Sequence, residues 1–404
     1  MDTKRFQEST SGRLMKVGQG EAAYWAFVPH PLPPRLDFDC EFVSALSEAD
    51  RALGELSGLG RTVANPSLFI GPFIHREAVL SSRIEGTQTG ITDLYAYEAG
   101  QISLSGSKSV PPESDVREVL NYVHALEYGL ERINELPISL RLIREIHARL
   151  LDGVRGNRYT PGEFRQTQNW IGPSGCSLGD ATYVPPPVGE MHDALGALEG
   201  YLHVNGGYPP LVRIALVHQH FEAIHPFLDG NGRIGRLLIS LLLVHWNLLP
   251  MPLLYLSAYF ENHRQEYYDR LLAVTEHGDW RGWLLYFLQG VAEQSADVVG
   301  RAKRLQDLQI EYQQAVRSIR TTKALLDLVD LVFRQPAFTV TMVQRLLGVN
   351  YPTARRNIGK LVEAGILVEI GRGQRNRAYA SPGVLQAIAP NEESDLINVY
   401  HPKR

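Results

Sequence analysis

The sequence predicts a mainly α-helical protein, interrupted by one hairpin-like insertion and ending in a helix-turn-helix with two short strands. Apolar residues recur at three- and four-residue steps over most of the chain, the signature of helices with one buried face. That period lapses between Tyr159 and Glu190, where "FRQTQNWIGPSGCSLGDATYVPPP" alternates short apolar pieces with Gly, Ser and Pro. After about Val316 the composition changes to "TVTMVQRLLGVNYPTARRNIGKLVEAGILVEIGRGQRNRAYA", which reads helix, turn, helix and then two strands about a Gly-Arg-Gly turn.

In chain order, residues 1–34 read as an irregular leader ending in "PHPLPP". From Leu36 to about Glu98 the pattern is mostly helical, first in "FVSALSEADRALGELSGLG" and then in "NPSLFIGPFIHREAVLSSRIEGTQT" with its Pro and Gly punctuation. Residues 99–113 are small and polar, as an exposed boundary would be. Helices resume in "SDVREVLNYVHALEYGLERI" and "SLRLIREIHARLL", with Ser114 and Ser139 as expected starts. Beyond the insertion, helices are expected over 188–203, 210–224, 232 to about 247, and on to about 316. Three regions are therefore expected, 1–113, 114–295 and 296–404, consistent with a 404-residue chain too long for one ordinary core.

Composition excludes several classes. With 44% apolar and 21% charged residues the chain reads as an ordinary globular protein, and a net charge of -4 gives no global pull toward nucleic acid or anionic lipid. Cys40 and Cys176 lack metal or disulfide-scaffold spacing, so a reducing, cytoplasmic setting is expected. The first residues, "MDTKRFQESTSGRLMK", lack the apolar run of a signal peptide. The stretch Leu237–Leu256 is apolar but is cut by His245, Asn247, Pro250 and Pro252, so it is expected in a core and not in a membrane.

The string "GNGRIG", residues 230–235, satisfies the G-x-G-x-x-G fingerprint of dinucleotide-binding folds. That fold needs a strand running into the first glycine and an acidic residue about 20 positions on. Here the helical "PPLVRIALVHQHF" comes before it, and no carboxylate follows until Glu261, so the fingerprint is rejected. A loop at a helix N-terminus remains, where backbone N–H groups and the helix dipole favour an anion. Arg233 and Arg236 share a face and suit phosphate oxygens, Asp229 suits Mg²⁺ beside phosphates, and His225 suits a proton acceptor. Each residue alone has an ordinary structural explanation; their conjunction within twelve residues does not.

"HPFLDGNGRIGR", residues 225–236, resembles the motif H-P-F-x-D-G-N-G-R-x-x-R of Fic-domain proteins, with every defining position filled. "RQTQNWIG" and "ATYVPPP" resemble the flap of bacterial members, and the terminal regions resemble the layout of the longer ones. The resemblance implies an all-α Fic core with a β-hairpin flap, an N-terminal helical segment and a C-terminal winged helix-turn-helix. It implies transfer of AMP from ATP to a Tyr, Ser or Thr hydroxyl of a target protein, or of the chain itself, with release of pyrophosphate. By family role His225 is the base, Asp229 holds Mg²⁺ across the α- and β-phosphates, and Gly230, Asn231 and Gly232 form the anion hole. Arg233 then meets the β-phosphate and Arg236 the γ-phosphate. In "SAYFENHRQEYYDRL" Asn262 is the expected nucleoside contact, and Tyr268 either joins it or packs in the core.

"SSRIEG", residues 81–86, fits the family's inhibitory pattern [S/T]-x-x-x-E-[G/N] through Ser81, Glu85 and Gly86. The resemblance implies that Glu85 pairs with Arg236 and competes with the γ-phosphate. In the tail, seven basic residues (Arg345, Arg355, Arg356, Lys360, Arg372, Arg375, Arg377) face two acidic ones (Glu363, Glu369) within Thr339–Ala380, as a DNA-binding module would show. Docking of a protein partner or a homodimer is the alternative use of such a domain. Two other activities stay open: a DNA-binding regulator with a vestigial Fic domain, which the intact motif weighs against, and hydrolytic removal of AMP from modified protein.

Overall fold

The computed structural model describes residues 1–20, 23–62, 67–100, 112–154, 159–204, 206–317, 322–370 and 377–390. A 3₁₀ turn (Thr3–Phe6) leads into strands β1 (Gly12–Val17) and β2 (Tyr24–Pro29). Helices α1 (Cys40–Thr62), α2 (Ser67–Ile84), α3 (Ile91–Glu98), α4 (Glu113–Arg132) and α5 (Leu140–Leu150) follow. After the insertion come α6 (Val188–His203), α7 (Pro210–Ile224), α8 (Asn231–His245), α9 (Ser257–Asn262), α10 (Arg264–His277) and α11 (Trp280–Arg317). The chain then runs through α12 (Lys323–Arg334), β3 (Ala337–Thr339), α13 (Val340–Leu347), α14 (Tyr351–Glu363), β4 (Val368–Ile370), β5 (Ala378–Ala380) and α15 (Pro382–Ile388). The protein is mainly helical, as the patterning predicts.

Two compact units form, each from two segments: Met1–Ser57 with His124–Ser295, and Gly58–Val123 with Ala296–Arg404. In the first unit α7 and α8 are buried nearly all round, which is why Leu237–Leu243 lacks a polar face. Among the described residues no helix is long and apolar enough to cross a membrane. Helices α4, α5 and α8 approach closely at Gly129, where a Cβ would come within 3.0 Å of Leu241 and 3.2 Å of Ile146. Ser139 caps α5 as expected, its hydroxyl accepting from the Leu142 N–H at 3.4 Å.

The first residues correct the expectation of an irregular leader. β1 and β2 form an antiparallel ribbon in the register Gly12↔Pro29 to Val17↔Tyr24. The last four residues of β2 are buried in succession, so the strand shows no period-two alternation to be read. Gly12 is required here, since a Cβ would lie 2.5 Å from the Phe27 ring. The ribbon supports the insertion: the Phe27 N–H donates to the Val184 carbonyl (2.9 Å), and Phe6, Phe27 and Tyr183 cluster with centroids 5.7–6.3 Å apart. The insertion itself forms one antiparallel bridge, Ile171↔Tyr183, in place of a full hairpin.

In the second unit Thr339 caps α13, Asn350 caps α14, and Gly348 takes the left-handed conformation (φ 63) that ends α13. The three strands pair antiparallel in the order β3-β5-β4. The helix, turn, helix and strand sequence is therefore as the residue pattern has it, while the Gly-Arg-Gly turn, with Arg372 and Arg375, lies outside the described residues, as does most of 99–113.

Candidate active site

The catalytic candidates occupy the turn between α7 and α8. α7 ends because His225 adopts a left-handed conformation (φ 49, ψ 61) and Pro226 has no N–H to continue the ladder. Gly230, also left-handed (φ 81), starts α8. Between them, donors from the insertion capture three successive carbonyls. Arg165 Nε and Asn169 Nδ2 both donate to His225 O (3.0 and 3.2 Å), the Arg165 N–H donates to Pro226 O (2.9 Å), and Asn169 Nδ2 donates to Phe227 O (2.8 Å). A residue with a side chain holds positive φ only where its surroundings fix it, and these bonds do so.

His225 is half-buried, and its Nδ1 lies 3.3 Å from the Glu222 carbonyl. A carbonyl only accepts, so this contact selects the Nδ1–H tautomer and leaves the lone pair on Nε2. Asp229 is partly exposed; its Oδ1 accepts from the Gly230 N–H (2.7 Å) and faces Arg233 at 3.4 Å. The Asp229 carbonyl accepts from His147 Nε2 (3.0 Å), while His147 Nδ1 accepts from the Gly162 N–H (2.9 Å). His147 is therefore the neutral Nε2–H tautomer, and burial pushes its pKa down to about 4. Its ring stacks on Phe227 at 3.7 Å and 7°.

Asn231 departs from the simple role its position suggests. Its side chain donates to Phe227 O (2.8 Å) and accepts from the Phe227 N–H (2.8 Å), a two-point staple across the turn. Its contribution to an anion hole thus rests on the backbone, and among the described residues no protein acceptor meets the N–H of Asn231 or Gly232. Arg233 and Arg236 are 4% and 2% exposed, unusual for arginine. Tyr267 lies beside Arg236 and Glu222, and burial raises its hydroxyl well above the usual range. The third glycine of the false fingerprint is explained here: a Cβ on Gly235 would sit 2.2 Å from Glu222 Oε1. Close packing against α7 accounts for a glycine here without a coenzyme.

Asn262 ends α9 and is exposed. Tyr268 is 39% exposed, which removes the core-packing alternative; its buried neighbour Tyr267 fills that role, bonded to His218 Nε2 at 2.8 Å. In the second unit Ser81 is buried in the last turn of α2, and Glu85 and Gly86 stand in the exposed turn after it, Gly86 with φ 100. Sequence reasoning gave no role to Arg165, Asn169, His147 or Glu222. The stretch "GEFRQTQN" that holds the first two carries no periodic or motif signal for their roles.

A turn that presents an imidazole lone pair beside a helix N-terminus with two buried guanidiniums has the chemistry that binding a phosphate and accepting a proton would need. Residues 43–131 match the Fic/DOC family N-terminal description and residues 137–243 the Fic/DOC family itself, so the chain carries both of these domains. A protein adenylyltransferase Fic from Culex quinquefasciatus is 32% identical over 223 residues, 53% of this chain and 39% of that protein. Another of the same name, from Drosophila grimshawi, is 30% identical over 269 residues, 65% of this chain and 48% of that one. The chain thus spans less than half the length of these relatives. Among solved structures, a Fic family protein from Desulfovibrio desulfuricans shares the fold with a TM-score of 0.54 at 18% identity, over 87% of this chain and 98% of that one.

Proposed function

We propose that the protein is an adenylyltransferase that moves AMP from ATP to a hydroxyl group of a protein. The observation that carries this reading is the selected tautomer of His225 at the mouth of the turn, beside buried Arg233 and Arg236. His225 Nε2 takes the proton of the acceptor hydroxyl, whose oxygen attacks the α-phosphorus. The bond from that phosphorus to the bridging oxygen breaks, and pyrophosphate leaves. Arg233 and Arg236 and the N–H groups of Gly230, Asn231 and Gly232 receive the phosphate charge, as phosphoryl-transfer chemistry requires. Asn262 meets the nucleoside.

Asp229 is the residue that would hold Mg²⁺. A lone carboxylate fits that ion, which takes its other ligands from water and substrate phosphates. No group of three or more metal-ligating side chains exists among the described residues. If bound, the ion would supply positive charge against the phosphates of the substrate.

Glu85 is read as an intramolecular brake, supported by the Ser81–Glu85–Gly86 pattern at the end of α2. The free thiols of Cys40 and Cys176 favour a cytoplasmic setting. A second reading concerns the tail: Arg345, Arg355 and Arg356 are exposed on α13 and α14, which suits phosphate contacts to DNA.

Intact-mass spectrometry after incubation with ATP and Mg²⁺ tests the reading. Wild type is expected to gain AMP slowly and Glu85→Gly faster, with the gain abolished by adding His225→Ala. Equal rates for the first two remove the brake. AMP gain that survives His225→Ala removes the assigned base.

A further inference from the structure

We propose that Arg165 is a positioning residue that fixes the orientation of His225 and fastens both legs of the flap to the catalytic turn. The inference rests on the transferase reading, which gives His225 its role. Arg165 is fully buried, with 0% exposure. Its guanidinium donates Nε to the His225 carbonyl (3.0 Å), one terminal nitrogen to the Thr167 carbonyl (3.3 Å) and the other to the Pro186 carbonyl. Its own N–H reaches the Pro226 carbonyl (2.9 Å). Thr167 lies on the outgoing leg of the flap, two residues from Arg165, and Pro186 on the returning one, so a single planar group joins its own leg to the returning leg and to the catalytic turn.

A buried arginine ordinarily neutralises its charge against a carboxylate. Among the described residues no carboxylate pairs with Arg165; its partners are main-chain carbonyls. Burial draws its pKa down to about 10, which still leaves it charged at neutral pH. Tyr24 and Tyr183 are the titratable groups whose charge it feels, and burial pushes both hydroxyls up, so neither supplies an anion there. A fold that needed only packing at this point would be served by an apolar side chain at lower cost. What the fork supplies is direction: it holds the carbonyl of a left-handed residue, and the same residue's imidazole must aim at a hydroxyl. Misplacement by about 1 Å costs roughly 100-fold in rate.

The requirement for a fork, and not for charge alone, makes the idea testable with Arg165→Lys, which keeps charge and most of the volume but carries its three donors on one nitrogen and cannot span acceptors spread around a planar group. In the Glu85→Gly background, with ATP labelled at the α-phosphate and the chain itself as acceptor, kcat is expected to fall about 100-fold. KM for ATP should move less than about threefold, because other residues hold the triphosphate. Histidine ring ¹⁵N spectra provide a readout independent of turnover: the His225 signature should shift from the Nδ1–H tautomer toward a mixture in Arg165→Lys, while that of His147 stays put. Failure of the parent to transfer AMP would count against the transferase reading alone, and the ring spectra would still decide the positioning role. An unchanged His225 signature together with unchanged kcat overturns the proposal. So does an equal loss in kcat and in ATP binding accompanied by lowered thermal stability, since that is the result of a merely structural arginine. Arg165→Met, which fills the site without charge, is expected to match Arg165→Lys in both readouts; wild-type behaviour in Arg165→Met overturns the proposal as well.

Discussion

Arginines in two regions of the molecule behave in opposite ways. On α13 and α14, Arg345, Arg355 and Arg356 are exposed, and their charge is solvated at little cost. Around the turn between α7 and α8, Arg165, Arg233 and Arg236 are 0%, 4% and 2% exposed. Taking guanidinium groups out of water is expensive, and replacing them by apolar residues would ordinarily leave the fold no worse. On the proposed reading, three buried arginines about one turn supply charge and direction for the chemistry. The exposed ones are compatible with phosphate contacts but do not demand them.

Breaking the region about the α7–α8 turn should have large effects. Arg236→Ala is expected to weaken ATP binding about 100-fold, in line with about 3 kcal/mol for a charge-assisted contact, as titration calorimetry with ATP and Mg²⁺ would show. Gly235→Ala forces a Cβ toward Glu222 and is expected to cost about 1–3 kcal/mol in denaturant unfolding. An unchanged midpoint would mean that Glu222 swings clear.

Acid should strain this region more than the tail. His147 and His220 have pKa values pushed down to about 4, and His218 to about 3, chiefly by burial. Between pH 6.5 and 4 the unfolded chain binds protons at these sites and the native one does not. Stability is then fully present above pH 6.5 and falls as pH drops toward 4, by roughly 1.4 kcal/mol per pH unit for each histidine. Thermal melts across that range should show the fall, and His147→Gln should flatten it; a melting temperature independent of pH would contradict the neutral assignment. The smallest effect belongs to the exposed arginines. Arg355→Ala with Arg356→Ala should leave AMP transfer and stability unchanged within about 0.5 kcal/mol, and should matter only if salt-sensitive DNA binding is found.

The comparison also explains what could be read from residues alone. The order His225, Asp229, Arg233, Arg236 is local, at steps of three and four, so one turn and one helix bring it together and the string reveals it. The support for that turn is not local. His147 reaches it from α5, and Arg165 and Asn169 come from the insertion, about sixty residues away in sequence. No periodicity reports such pairings. The β1–β2 ribbon was hidden for a related reason, because β2 is buried on both faces and reads like any apolar run. Asn231 shows the converse limit. Its place in the motif is legible, but the commitment of its side chain to Phe227 appears only in three dimensions.

The most direct test of the account is a crystal structure with Mg²⁺ and a non-hydrolysable ATP analogue. The triphosphate is expected at the N-terminus of α8, within hydrogen-bonding distance of Arg233, Arg236 and the Gly232 N–H, with the α-phosphorus facing His225 Nε2. An analogue bound elsewhere, or phosphates turned away from both buried arginines, would contradict it.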